Sequence, residues 1–216
     1  MSADLALLRL LQLFDSQFPI GSFAHSGGVE TYAASGAGLR ELREIVRGQI
    51  ELGWGRSELG AACLAWAAAD GPALDCVARR LDALKVIPAI RDASVKLGRR
   101  ALDLLRRLYP DLHLDVCPSH HAVVAGAAGR RLGIDARSLL LAYGQSLTMG
   151  TLSAAMRCMA ISPAQAQELL IEMHQPLERA VAGALADPDG SLFTCTPALD
   201  IRSHQQAFLH TRLFQS

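Results

Sequence analysis

Cys117, His120 and His121 have the types and spacing to hold a metal. A thiolate followed by two imidazoles is a donor set that nickel or zinc accepts. No second cluster at ligand spacing accompanies it, and a stable site needs a fuller shell. The reading in which one histidine caps or packs at a helix start is therefore preferred. A third histidine, His25, stands between Ser22 and Ser26. That proximity suggests hydrolase chemistry, yet no nucleophile elbow surrounds the serines. A hydrogen-bonded loop histidine is the simpler role, because a neutral imidazole both donates and accepts. Ser26-Gly27-Gly28 has the look of a phosphate cradle, but no P-loop Lys-Ser/Thr follows it and no strand precedes it. Asp187 and Asp189 lie in a turn and read as solvated. Arg99, Arg100, Arg106 and Arg107 suit either an acidic partner or a solvated helix face with last-turn arginines.

The elements that must position these groups are helices. Half of the 216 residues are apolar, only 5% are aromatic, and alanine and leucine dominate. That balance favours helices over sandwiches or barrels. Lys+Arg and Asp+Glu both number 21, so the basic excess of a general nucleic-acid binder is missing. The charged fraction of 19% is low, which predicts surface buried against other chains. The leucine-rich start lacks a basic n-region, and the longest apolar run, 59–69, is too short to cross a bilayer. Five scattered cysteines read as reduced thiols, so the expected location is the cytoplasm.

Periodicity and punctuation predict helices over 3–14, 29–35, 39–53, 57–69, 72–86, 88–108, 120–131, 136–159 and 163–186, with one more short helix beyond Pro197. On 88–108, Ile90, Leu97, Ala101, Leu104 and Leu108 fall on one stripe. Asp135 reads as an N-cap. The 136–159 helix has no polar face, which places it at the centre of the bundle. Nothing competes with one all-α domain over 1–216.

The most informative segment is DSQFPIGSFAHSGGVE, residues 15–30. Pro19 fixes a backbone angle, while Gly21, Gly27 and Gly28 permit conformations that other residues avoid. Phe18 and Phe23 are apolar anchors, and Asp15, Ser16, Ser22 and Ser26 can cap helix ends. The segment closely resembles the signature of the urease accessory protein F family, Asp-Ser-x-Phe-Pro-x-Gly-Ser-Phe-x-x-Ser-x-Gly-hydrophobic-Glu, through to Glu30. Further matches follow in order. Arg91, Ser94 and Gly98 resemble the family's Arg-x-x-Ser-x-x-x-Gly; His120, Val123 and Gly126 resemble its His-x-x-Val-x-x-Gly. Ser153-Ala154-Ala155-Met156-Arg157 and the terminus Arg212-Leu213-Phe214-Gln215-Ser216 match as well. The chain departs from the family at 161–167 and 206–209, where a Gly-Gln stretch and a His-Glu-aromatic-Gln are usual.

The resemblance implies a single-domain orthogonal helical bundle of roughly nine to ten helices, acting as a homodimer without a cofactor or catalysis of its own. It implies binding to a second urease accessory protein (D or H type), which contacts urease apoprotein. It further implies recruitment of a nickel-carrying GTPase accessory protein, and a role as the proposed modulator of that GTPase. Arg157, Arg202 and Arg212 are candidates for an arginine donated in trans, although Arg157 more simply satisfies helix-end carbonyls or a buried carboxylate. Leu213 and Phe214, near a chain end that normally frays, gain little unless they dock on their own domain or on a partner. The resemblance favours the partner, with the tail from about 203 and the 15–30 loop ordering together. The expected partner-binding residues are Phe18, Phe23, His25, Ser26, Glu30, Arg212, Leu213 and Phe214. Two rivals remain: a direct nickel carrier, or a metal-dependent enzyme built on Cys117, His120 and His121.

Overall fold

In a computed structural model describing residues 2–215, the chain folds as an all-α bundle. Ser216, the last residue of the matched terminus, and Met1 lie outside the described residues. Among those described there are ten α-helices: α1 (Ala3–Leu13), α2 (Val29–Ala34), α3 (Leu39–Leu52), α4 (Trp54–Ala67), α5 (Gly71–Leu84), α6 (Pro88–Leu108), α7 (His121–Arg131), α8 (Ala136–Cys158), α9 (Pro163–Ala186) and α10 (Pro197–Gln205). Short 3-10 turns occupy Ser22–Ala24 and Gln206–Phe208.

Local chemistry fixes most boundaries. The Ser2 side chain accepts from Leu5 N, Asp70 from Ala73 N and Asp135 from Ser138 N, so each caps a helix start. Ser162 and Gln165 form a reciprocal capping box for α9. Prolines sit in the first turns of α5, α6, α9 and α10, where no hydrogen bond is forfeited. The expected gap between 53 and 57 is absent: only Gly53 separates α3 from α4. The corner is that tight because a Cβ on Gly55 would lie 1.9 Å from Ile50 O.

The core is built on small residues. α4 and α7 meet closely where Gly126 lies against Ala62 and Ala65, all buried. A Cβ on Gly126 would stand 2.2 Å from Ala62 O, so the backbones themselves touch.

Two expectations need correction. On α6 the buried face is Ala93, Ser94, Gly98, Ala101, Leu102 and Leu105, whereas Leu108 is exposed. The predicted stripe is rotated from it and shares only Ala101, because Gly98 lets the backbone approach closely on the side of Ser94, Leu102 and Leu105. On α8, Leu139, Leu140, Tyr143, Thr148, Leu152, Ala154 and Ala155 are buried, but Ser146, Met149 and Gly150 border an open groove. The second side of the helix lines that groove with Gln145, Ser146 and Thr151 as well as Leu147 and Met149, and Gly150 has no neighbour within 4 Å of a built Cβ.

Candidate functional site

The 15–30 segment is an ordered loop held from four sides. Asp15 Oδ1 accepts from Gln17 N at 2.6 Å and starts the turn, while exposed Ser16 and Pro19 carry it to half-buried Phe18 and buried Ile20. Gly21 adopts φ +82°, and a Cβ there would come within 2.5 Å of the Arg100 guanidinium. Arg100 Nη1 donates to Ile20 O at 3.2 Å, so α6 clamps the turn over the missing side chain. Exposed Ser22 begins the 3-10 turn, and the Arg157 guanidinium on α8 donates to Phe23 O. Gly28, at φ +92°, lies under α10, where a Cβ would meet Ser203 Oγ at 2.6 Å. Glycine is required at 21 and 28 by backbone angle and by close approach together.

The C-terminal tail forms the fourth clamp. Ser26 Oγ donates to Gln206 Oε1 at 3.2 Å, and Gln206 Nε2 donates to Glu30 Oε2 at 2.9 Å. The other Glu30 oxygen accepts from Leu213 N. Gln215 N donates to Ala24 O at 2.8 Å. Phe214 is buried on its own chain, with the Arg157 guanidinium 4.2 Å over its ring. Loop and tail are thus one hydrogen-bonded unit, and Arg157 serves both. From this unit Phe23 and Leu213 project outward, 70% and 69% exposed. Arg212 is exposed, and Arg202 lies 5.4 Å over the Tyr32 ring. Half-buried His25 has its pKa lowered by burial first and then by Lys96 and Arg100, so it is neutral. Gln206, the hub of the latch, escapes sequence reasoning because it lies where the chain departs from the family pattern.

The remaining motif residues form a packing centre. Fully buried His120 places Nδ1 3.1 Å from Ser94 Oγ and Nε2 3.1 Å from Asp82 Oδ1. A carboxylate only accepts, so Nε2–H donates to Asp82 and Nδ1 accepts from Ser94. Gly98 lets α6 rest directly on that segment, since a Cβ would lie 1.8 Å from Ser119 O. Arg91 is half-buried on the first turn of α6, and half-buried Ser153 offers its carbonyl to Arg157 Nε at 3.4 Å.

Cys117 and the two histidines do not converge. Cys117 is exposed, with its backbone N–H held by Asp75. His120 spends both nitrogens on Ser94 and Asp82. His121 stacks edge-on against Tyr143, with ring centroids 5.3 Å apart. The acids of the 187–190 turn are solvated as expected: Asp187 accepts from Gly190 N and Asp189 pairs with Arg80. On the basic face, Arg106 is drawn back to Asp115 and Leu114 O.

Sequence reasoning also missed a buried charge network beside a large groove. Glu58 of α4, 7% exposed, pairs with Lys85 and accepts from Tyr143 Oη at 3.0 Å. Burial pushes the Glu58 carboxyl up, but the Lys85 ammonium overrides it and the net direction is down. Burial, then the Glu58 charge, raise Tyr143 well above its ordinary value. Desolvation lowers His121 to about 4. Above these groups lies a groove of about 730 Å³, walled by α1, the 14–27 loop, the start of α6 and α8.

The sequence model of the UreF family matches residues 38–174 of this chain. Similar proteins named urease accessory protein UreF are found in Mycobacterium marinum, 32% identical over 97% of this chain and 99% of that protein, and in Actinobacillus pleuropneumoniae, 29% identical over 96% and 97%. A third, from a Nostoc species, is 26% identical over 99% of this chain and 97% of its own length.

Proposed function

Because the chain belongs to the UreF family of urease accessory proteins, we propose that it works in urease maturation as a cytoplasmic, non-catalytic adaptor for nickel insertion. The loop–tail unit binds the second accessory protein, of D or H type, which in turn contacts urease apoprotein. A homodimer of the chain presents two copies of a surface that recruits the nickel-carrying GTPase. Differential affinity for the nucleotide states of that GTPase would modulate its activity. Nickel is the cargo of the assembly.

The observation that carries this reading is the hydrogen-bonded union of the signature loop with the C-terminal tail. It holds apolar Phe23 and Leu213 in solvent, where neither stabilises the fold. Exposed apolar groups on a rigid platform are the anchors that interfaces use. Among the described residues no helix is long and apolar enough to cross a membrane. The rival metal-site reading is disfavoured by the two protein partners already on His120.

The test is a pull-down of the second accessory protein and of the GTPase by the intact chain, by a chain lacking 207–216, and by Leu213→Asp. Leu213 is exposed, so its variant folds. Both variants should lose the second accessory protein at least tenfold. Undiminished capture by both refutes the tail role, and no capture by the intact chain refutes the adaptor.

A further inference from the structure

The groove above the Glu58–Lys85 pair carries features that the adaptor reading does not use. Its walls are largely apolar, with Leu13 of α1 and Phe14 just after it, Ile90 and Leu97 of α6, and Leu147 and Met149 of α8. Its volume, about 730 Å³, lies within the range of true ligand and peptide sites. Periodicity assigned Ile90 and Leu97 to the core; both line this groove, and Leu97 also packs against the core.

The charge of the lining is unbalanced. Asp15, Glu58 and Asp200 line the groove against one cation, Lys85, and that lysine is consumed by Glu58. The two acids left over, Asp15 and Asp200, belong to the loop and to α10, in a chain whose formal net charge is zero. An apolar trough with acidic groups on its lining is complementary to a helix with an apolar ridge and basic flanks.

We propose that this groove is a docking site for a basic amphipathic helix of a partner protein, its apolar ridge filling the trough and its lysines or arginines meeting Asp15 and Asp200. The proposal rests on the adaptor reading and adds to it a second contact, which adjoins Phe23 on the loop wall and lies apart from Leu213. The ridge covers Ile90, Leu97 and Met149, and the buried ion pair stays intact beneath it.

Fluorescence anisotropy with a labelled synthetic leucine–lysine amphipathic helix tests this, beside its leucine–glutamate counterpart. The key variant is Gly150→Trp. Gly150 borders the groove and a Cβ there meets nothing within 4 Å, so a side chain can be added without a clash at the backbone, and unchanged helical dichroism checks that the fold is kept. The leucine–lysine helix should bind the intact chain, bind Gly150→Trp at least tenfold more weakly, and bind Asp200→Asn several-fold more weakly with a shallower salt dependence. Equal binding by Gly150→Trp, or equal binding of the leucine–glutamate helix, overturns the proposal. Conversion of a dimer to a monomer by Gly150→Trp also overturns it, since a second copy would then be the occupant. Should the proposal fail while tail deletion still abolishes capture of the second accessory protein, the adaptor reading survives.

Discussion

Removing the Lys85 ammonium would leave the Glu58 carboxylate buried, with only the Tyr143 hydroxyl holding it. Breaking a buried pair from one side costs about 3–5 kcal/mol, since the surviving charge is uncompensated. Lys85→Met should therefore lower the urea midpoint strongly, and the double change Lys85→Met with Glu58→Leu should recover part of that loss. A single variant as stable as the parent would show that the pair carries no structural weight. The histidines predict a pH response. Desolvation holds His121 at about 4 and burial also lowers His120. Both are neutral when folded, while the unfolded chain takes up their protons below the ordinary value of about 6.5. Their stabilisation is complete above that pH and is lost as pH falls towards 4. For His121 the loss at pH 5 is roughly 2 kcal/mol. Urea titrations at pH 7.5 and pH 5 should differ by at least that much, and His121→Gln should narrow the difference. At this scale the sequence was half legible. A helix-start role for His120 followed from the thin ligand shell around it. Glu58 and Lys85 stood 27 residues apart with no pattern joining them, and only the fold brings them together.

Helix boundaries were legible wherever a proline or a capping side chain marks them, as at Pro72, Pro88, Pro163 and Asp135. Faces were less so. Hydrophobic periodicity rewards large apolar residues, so on α6 it selected Ile90, Leu97 and Leu104. The face that packs shares only Ala101 with the predicted stripe: it runs through Ser94, Gly98, Leu102 and Leu105, and close backbone approach at Gly98 selects for small size. The same blindness hid the groove, as an apolar residue reads alike whether it lines the core or an open trough. Two glycines separate these cases by experiment. Gly98→Ala places a methyl 1.8 Å from Ser119 O, and backbone must move, at a cost of about 3 kcal/mol or more. Gly150→Ala meets nothing and removes a helix-interior glycine, for a gain of about 0.5–1 kcal/mol. Thermal melts should therefore shift in opposite directions. A neutral Gly98→Ala would mean that α6 does not rest on the 119–121 backbone.

Across the whole molecule, the groups left uncovered are arranged by surface. α1 anchors itself through Leu10 and Leu13 but exposes Leu5, Leu7, Leu8 and Leu11, the last two at 63% and 61%. A leucine-rich helix face in water is a poor final state for a chain without net charge to keep copies apart. For the homodimer proposed above, we propose a two-fold contact in which α1 meets its own copy, since an isologous patch needs no second complementary surface. Leu8→Glu with Leu11→Glu would place four carboxylates at such a contact and replace none of the buried leucines. Sedimentation of the parent should give twice the 23.1 kDa chain mass, and the double variant should give one chain mass with unchanged helical dichroism. Because the loop–tail unit is held within one chain, the monomeric variant should still capture the second accessory protein. It should lose the nickel-carrying GTPase, which the proposed function assigns to the paired surface. Retention of both partners by a proven monomer would detach recruitment from symmetry, and a double variant that stays dimeric would move the contact away from α1.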